Sequence, residues 1–201
     1  YNPKLSYLLA GLSWAAYKQP NIKSSLDDLG FENKQPYYYG ENEYMPAHYI
    51  AKKKMSDGSD LVLVVVRGTY NDEQKLTDIS ILTSGSLAGT HAGFTASRDA
   101  VYEDLKAFLN GSIPTDNTTY VITGHSLGAA TANLVALKLT DPDIGVPHSK
   151  VFNYNFSCPD VAKCNPGDWN PSGIHDNMFN IADARDIVSF LPGIIGNNDK
   201  S

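Results

Sequence analysis

Long apolar runs, excess positive charge and cysteine are all scarce in this 201-residue sequence, and each scarcity removes a class of function. No stretch approaches the roughly 20 apolar residues of a membrane-crossing helix, so the chain is not membrane-integral, although contact with a lipid surface stays open. With 16 Lys and Arg against 22 Asp and Glu, the formal net charge is −6. A duplex phosphate backbone is therefore repelled, and nucleic acid is not a partner. The one dense basic run, Lys52-Lys53-Lys54, stands beside Asp57-Gly58 and reads as the exposed end of a hairpin. Cys158 and Cys164 lie six apart and match no metal-ligand spacing; they fit either a small disulfide loop in a secreted protein or two unpaired thiols. The sequence opens at Tyr1 with neither Met nor signal peptide, the form of a processed mature protein or of a trimmed one. The compartment stays open, with secretion favoured.

What is present belongs to one folded domain spanning 1–201: the chain is 42% hydrophobic and 19% charged, too apolar for disorder. No repeat, low-complexity tract or second domain interrupts it. Leu5, Leu8, Leu9, Leu12, Ala15 and Ala16 fall at helical spacing and predict an N-terminal helix over 5–17. Residues 19–45 carry Pro20, Gly30, Pro36 and Gly40 and read as irregular or short-element sequence. Residues 47–54 and 61–66 are strand-like runs around Ser56-Asp57-Gly58-Ser59. The second is continuously apolar, as in a strand covered on both faces. A helical period runs from Phe94 through Val101 and Leu105 to Leu109 and stops at Asn110-Gly111. Strand 118–123, an Ala- and Leu-rich helix ending before Asp141-Pro142, and strands 151–156 and 178–181 complete the alternation. The pattern predicts a mainly parallel sheet with helices on its faces, entered through an antiparallel hairpin.

Gly124-His125-Ser126-Leu127-Gly128 stands between the strand at 118–123 and the following helix. That is the strand-to-helix elbow that presents a nucleophilic serine. The reading makes Ser126 the nucleophile, held in a strained conformation at the tip of the turn. Gly124 and Gly128 then leave room for the neighbouring strand and helix. The Leu127 N–H, at the helix start, points toward the reacting carbonyl and stabilises its developing negative charge. His125 projects away from its neighbour at so sharp a turn, so it serves packing and turn support and is not the base.

Gly124-His125-Ser126-Leu127-Gly128-Ala129 resembles the elbow of the class 3 lipases, the group containing the filamentous-fungal triacylglycerol lipases. Val65-Val66-Arg67-Gly68-Thr69 is similar to that family's strand followed by Arg-Gly-Ser/Thr, and the resemblance makes Thr69 the second oxyanion donor. Thr90-His91-Ala92-Gly93-Phe94 is similar to its His-x-Gly-Phe segment, whose His is structural. Phe156-Ser157-Cys158-Pro159-Asp160-Val161 falls where the family has Gly-x-Pro-x-Val, and Cys158 takes the variable position with no catalytic role. Asn180 to Pro192 resembles Asn-x-x-x-Asp-x-Val-Pro-x-Leu-Pro, whose Asp is the triad acid; Asp186 corresponds. Ser189 departs from the pattern where a Pro is usual.

A second departure touches catalysis. The triad order is Ser, Asp, His, yet no histidine follows Asp186, and His48, His91, His125, His148 and His175 all precede it. The family places its His some tens of residues after the Asp. The resemblance therefore implies an α/β-hydrolase fold lacking its C-terminal part in this chain. Between Thr69 and His91, Leu76, Ile79 and Leu82 form an apolar stripe opposed by Asp72, Glu73 and Asp78, where the family carries its lid; a helix packed permanently on the sheet fits the same stripe. The implied function is ester hydrolysis of lipids, acylglycerols favoured, through an acyl-enzyme on Ser126, with no metal and no cofactor. The alternative is a catalytically inactive lipid- or protein-binding module on the same fold.

Overall fold

A computed structural model describes residues 1–39, 45–68, 86–87, 90–158 and 176–182. Helix α1 spans Pro3–Ala15, beginning two residues before the apolar stripe. Asn2 caps it, accepting from the N–H groups of Lys4 and Leu5, and Pro3 needs no donor in the first turn. Its buried line is Ser6, Leu9, Leu12 and Ser13, while Leu8 faces out. The segment expected to be irregular or built of short elements holds a ten-residue helix, α2 (Gln19–Asp28), and a five-residue strand, β1 (Asn33–Tyr37). The two prolines are compatible with both elements because each sits where its ring is tolerated. Pro20 lies in the first turn of α2, and Pro36 lies in an edge strand paired on one side only. Ile22 and Leu26, four apart, are fully buried and dock α2.

Strands β2 (His48–Lys54) and β3 (Asp60–Val66) form the expected hairpin around Asp57-Gly58. Lys52 and Lys54 both pair with Asp60, and Lys53 lies over the Phe31 ring and donates to the Leu29 carbonyl, so the basic run is tied down by its neighbours. Two short strands, β4 (Ser86–Leu87) and β5 (Thr90–His91), pair with each other and precede helix α3 (Ala92–Phe108). Helix α3 is followed by Asn110 and Gly111, both at positive φ, and the Gly111 N–H returns to the Lys106 carbonyl. Then come β6 (Thr118–His125), helix α4 (Leu127–Leu139), β7 (Val151–Phe156) and β8 (Met178–Ile181).

The six-stranded sheet has the order β1-β2-β3-β6-β7-β8, antiparallel up to β3 and parallel from β3 onward. Strand β3 is central, and its alternate residues feed two cores. Val62, Val64 and Val66 pack with Val101 and Leu105 of α3 and Val135 and Leu139 of α4. Leu63 and Val65 pack with Leu9 and Leu12 of α1 and Ile22 and Leu26 of α2. Helices thus cover both faces, which is why this strand is apolar without alternation. Each of these fully buried aliphatic side chains contributes about 1.5–3 kcal/mol. The C-terminal ends of β3, β6 and β7 line up at one edge, with Val66 beside Gly124 and Gly124 beside Asn155.

Candidate active site

Ser126 stands at that edge, the residue between β6 and α4, with φ 56° and ψ −129°. A non-glycine residue there carries strain that its surroundings must enforce. They do so from three sides. The Ser126 N–H donates to the Phe156 carbonyl at the end of β7, and the Ser126 carbonyl accepts the first helical bond, from Ala129. A Cβ on Gly124 would sit 2.5 Å from the Gly128 carbonyl oxygen, and one on Gly128 would collide with the carbonyls of Val66 and Arg67. The two glycines thus let strand, helix and the end of β3 converge on one residue. Ser126 is the N-cap of α4, but its hydroxyl caps nothing, which leaves Oγ uncommitted to the helix. The side chain is only 3% exposed. Leu127, the first helical residue, packs with Phe94, Ala130 and Leu134; its N–H belongs to the first turn, where backbone donors have no carbonyl within the helix.

The segment after β3 comes close to the elbow. A Cβ on Gly68 would lie 3.1 Å from Ser126 Cβ, 2.6 Å from the His125 carbonyl oxygen and 2.5 Å from the Tyr17 hydroxyl. The chain that continues into Thr69 therefore leaves from beside the serine. Thr69 itself, the acid candidate Asp186 and the lid candidates Leu76, Ile79 and Leu82 lie outside the described residues, as does His175.

Tyr17 is a contributor that the sequence did not suggest. Its hydroxyl lies 2.7 Å from His125 Nδ1, and the two rings meet edge-on at 5.7 Å. His125 is thereby committed to α1's C-terminal end. Ser13 reinforces the same contact: Thr123 Oγ1 donates to the Tyr154 carbonyl at 2.6 Å and so accepts from Ser13 Oγ at 2.9 Å. A second group that went unread is a set of buried asparagines. Asn155 Nδ2 donates to Asn133 Oδ1 at 2.8 Å and to Asn153 Oδ1 at 2.6 Å, and Asn133 Nδ2 donates to Asn180 Oδ1 at 2.9 Å. This set ties α4 to β7 and β8. The signal was present, since Asn153 and Asn155 interrupt an otherwise apolar strand and Asn133 an apolar helix. The Asn155 side chain is fully buried, so its Asn-x-Ser triplet is no surface acceptor. Cys158 Sγ accepts from Asn133 Nδ2 at 3.2 Å.

Of two other histidines, His48 stands at the same edge of the sheet as the elbow, paired with Val66, which lies beside Gly124, but is committed to other partners. His48 is fully buried, with Nδ1 2.7 Å from the Pro46 carbonyl oxygen, which obliges Nδ1 to carry the proton. Its ring stacks on Tyr37 at 4.8 Å, and Nε2 faces Asp104 Oδ2 of α3 at 3.5 Å. Burial pushes the His48 pKa down to about 4, against a smaller upward pull from the Pro46 bond. Burial also raises the Asp104 pKa, offset in part by a hydrogen bond from Tyr38. His148 lies in the 3-10 turn that leads into β7, at the opposite end of that strand from the elbow.

The family model described as Lipase (class 3) matches residues 63–196. Among solved structures, the chain is similar to a Rhizomucor miehei lipase in its propeptide complex, with 23% identity and a TM-score of 0.69, covering 94% of this chain and 61% of that one. It is similar also to a triacylglycerol lipase described as having a serine protease triad as its catalytic centre, with 22% identity and a TM-score of 0.68, covering 96% and 75%. Lipase II from Rhizopus niveus gives 19% identity and a TM-score of 0.68, covering 94% and 74%. At these identities the likeness is one of fold, the α/β-hydrolase fold, and the chain spans 61% to 75% of those three lipases. No curated protein sequence matches it.

Proposed function

Because the chain belongs to the class 3 lipase family, we propose that it hydrolyses carboxylic esters of lipids through an acyl-enzyme on Ser126. In this reading Ser126 Oγ attacks the ester carbonyl, and the N–H groups of Leu127 and Thr69 hold the oxyanion. The alcohol leaves, and water then releases the acid. Asp186 orients the histidine that takes and returns the proton. The observation that carries the reading is the backbone of Ser126, held at φ 56° between glycines that admit no side chain. Strain of that kind at an uncapped hydroxyl has a use in presenting a nucleophile and none in stabilising a turn.

The base in this reading is a histidine beyond these 201 residues. His125 is held by Tyr17, His48 by Pro46, and His148 stands at the far end of β7; His91 falls on the family's structural His, and His175 precedes Asp186, against the triad order. Acylglycerols are the favoured substrates, and Leu76, Ile79 and Leu82 are the residues we assign to a covering lid. The test is a fluorophosphonate probe, applied to the 201-residue chain and to the protein as encoded by its gene, with the labelled residue located after digestion. Label on Ser126 in the encoded protein, lost in Ser126→Ala, is the expected result. Absence of label from a folded, encoded protein overturns the reading and leaves a binding module on a hydrolase fold.

A further inference from the structure

Helix α1 turns one face to solvent, and that face carries three of the six exposed large hydrophobic residues among the described residues, Tyr7, Leu8 and Trp14. Tyr7 is 86% exposed and Trp14 75%, seven residues apart and thus on one line, with Leu8 and Gly11 exposed between them. The cations at its two ends are Lys4 and Lys18, each exposed and neither in an ion pair among the described residues. The helix contains no Asp or Glu, although the whole chain carries a net charge of −6. Tyr and Trp flanked by lysines is the composition of a helix that lies in the plane of a membrane surface: the amphipathic rings sit at headgroup depth and the ammonium groups meet anionic lipid.

The face is also in the right place. Trp14 lies 5.9 Å from the Tyr17 ring, and Tyr17 bonds His125, the neighbour of Ser126. The exposed line therefore ends beside the edge of the sheet that carries the elbow. A surface rich in esters becomes anionic as it is hydrolysed, because each turnover leaves a carboxylate behind. A protein of net charge −6 is driven off such a surface unless a locally cationic face holds it.

We propose that the outer face of α1, with Tyr7 and Trp14 as aromatic anchors and Lys4 and Lys18 as cationic ones, docks the protein on anionic lipid surfaces. The part that product carboxylates play rests on the hydrolase reading; the docking itself does not. The test therefore uses vesicles of ether-linked phosphatidylcholine with or without ether-linked phosphatidylglycerol, which offer no acyl ester to cleave. Trp169→Phe leaves Trp14 as the sole tryptophan of the chain.

In buffer, Trp14 emission is expected at the wavelength of a water-exposed indole, with a blue shift on adding the anionic vesicles and a much smaller one with phosphatidylcholine alone. The double variant Lys4→Glu with Lys18→Glu is expected to weaken co-sedimentation with anionic vesicles at least tenfold, and Tyr7→Ser with Trp14→Ser to weaken it with both kinds. In the protein as encoded by its gene, hydrolysis of a short, water-soluble ester stays at the parent rate in the double lysine variant, since, among the described residues, neither side chain is bonded to the elbow or to Tyr17. Unchanged vesicle binding in both double variants overturns the proposal. So does a blue-shifted emission in buffer, which means that another part of the chain covers the face, or a self-association abolished by Trp14→Ser, which means that a second copy does. Vesicle binding that persists while Ser126 fails to label sinks the hydrolase reading and leaves the docking surface standing.

Discussion

The Tyr17 hydroxyl sits 2.7 Å from His125 Nδ1 and fills the space that a side chain on residue 68 would need. One phenol thus buttresses both the residue before Ser126 and the segment leading toward Thr69. Tyr17→Phe removes the hydroxyl and keeps the ring. The folded protein should lose about 1 kcal/mol, the usual net worth of such a bond. On the positioning account, kcat on a soluble ester falls several-fold while KM holds, because the elbow and the Gly68 segment lose their common spacer. A variant with the expected loss of stability and full kcat would reduce Tyr17 to a packing residue.

The strain at Ser126 can be read separately from its chemistry. Both Ser126→Ala and Ser126→Gly remove Oγ, and neither should cleave ester. They differ in backbone cost, since a residue with a Cβ at φ 56° and ψ −129° pays on the order of 1–3 kcal/mol that glycine avoids. After the extra chain entropy of glycine, about 0.5–1 kcal/mol, the glycine variant should still melt above the alanine variant by a few degrees. Equal melting temperatures would remove the strain from the account of this turn.

The order of strands and helices was legible in the sequence because it rests on periodicity and turn chemistry, both local. Strands 151–156 and 178–181 fall where the pattern put them. Residues 19–37 were not legible, because Pro20 and Pro36 signal a break unless one knows that the first stands in a helix's first turn and the second on a sheet edge. Those are facts of position, not composition. The elbow was legible for the opposite reason: its steric demand is written in two glycines four residues apart. Tyr17, more than a hundred residues from His125 in sequence, gave no local sign of its partner. The asparagine set gave half a sign, polar residues in apolar elements, but not who pairs with whom.

Burial of His48 gives folding a dependence on pH. The histidine titrates near 6.5 in the unfolded chain and near 4 in the folded one. Its folded pKa is depressed, so below about 6.5 the unfolded chain binds a proton that the folded chain refuses, and stability falls as pH falls toward 4. The loss is about 3 kcal/mol at most. Asp104, facing Nε2 from α3, acts in the opposite sense because its folded pKa is raised, and it trims the loss at the acid end. His48→Phe keeps a ring against Tyr37 and cannot titrate. Denaturant unfolding from pH 7 to 4 should show a shallower decline in the variant than in the parent. Parallel curves would mean that His48 is accessible to protons in the folded state.

The acid is the assignment most open to test, because two aspartates compete for it within four residues. Asp186 stands where the family's motif has its acid, while Asp183 is two residues past the end of β8. Strand β8 is anchored by Asn180, whose side chain accepts from Asn133 on α4. An acid at 186 has five residues of chain beyond Ile181 to draw on, and one at 183 has two. In the protein as encoded by its gene, Asp186→Asn should therefore lower kcat by orders of magnitude, up to the ~10⁴ seen when a triad loses the group that fixes its tautomer. The fold, read by circular dichroism and melting, should be unchanged. Asp183→Asn should leave kcat within a few-fold of the parent. The reverse pattern would move the acid to Asp183, and full activity in both variants would show that neither aspartate orients the base.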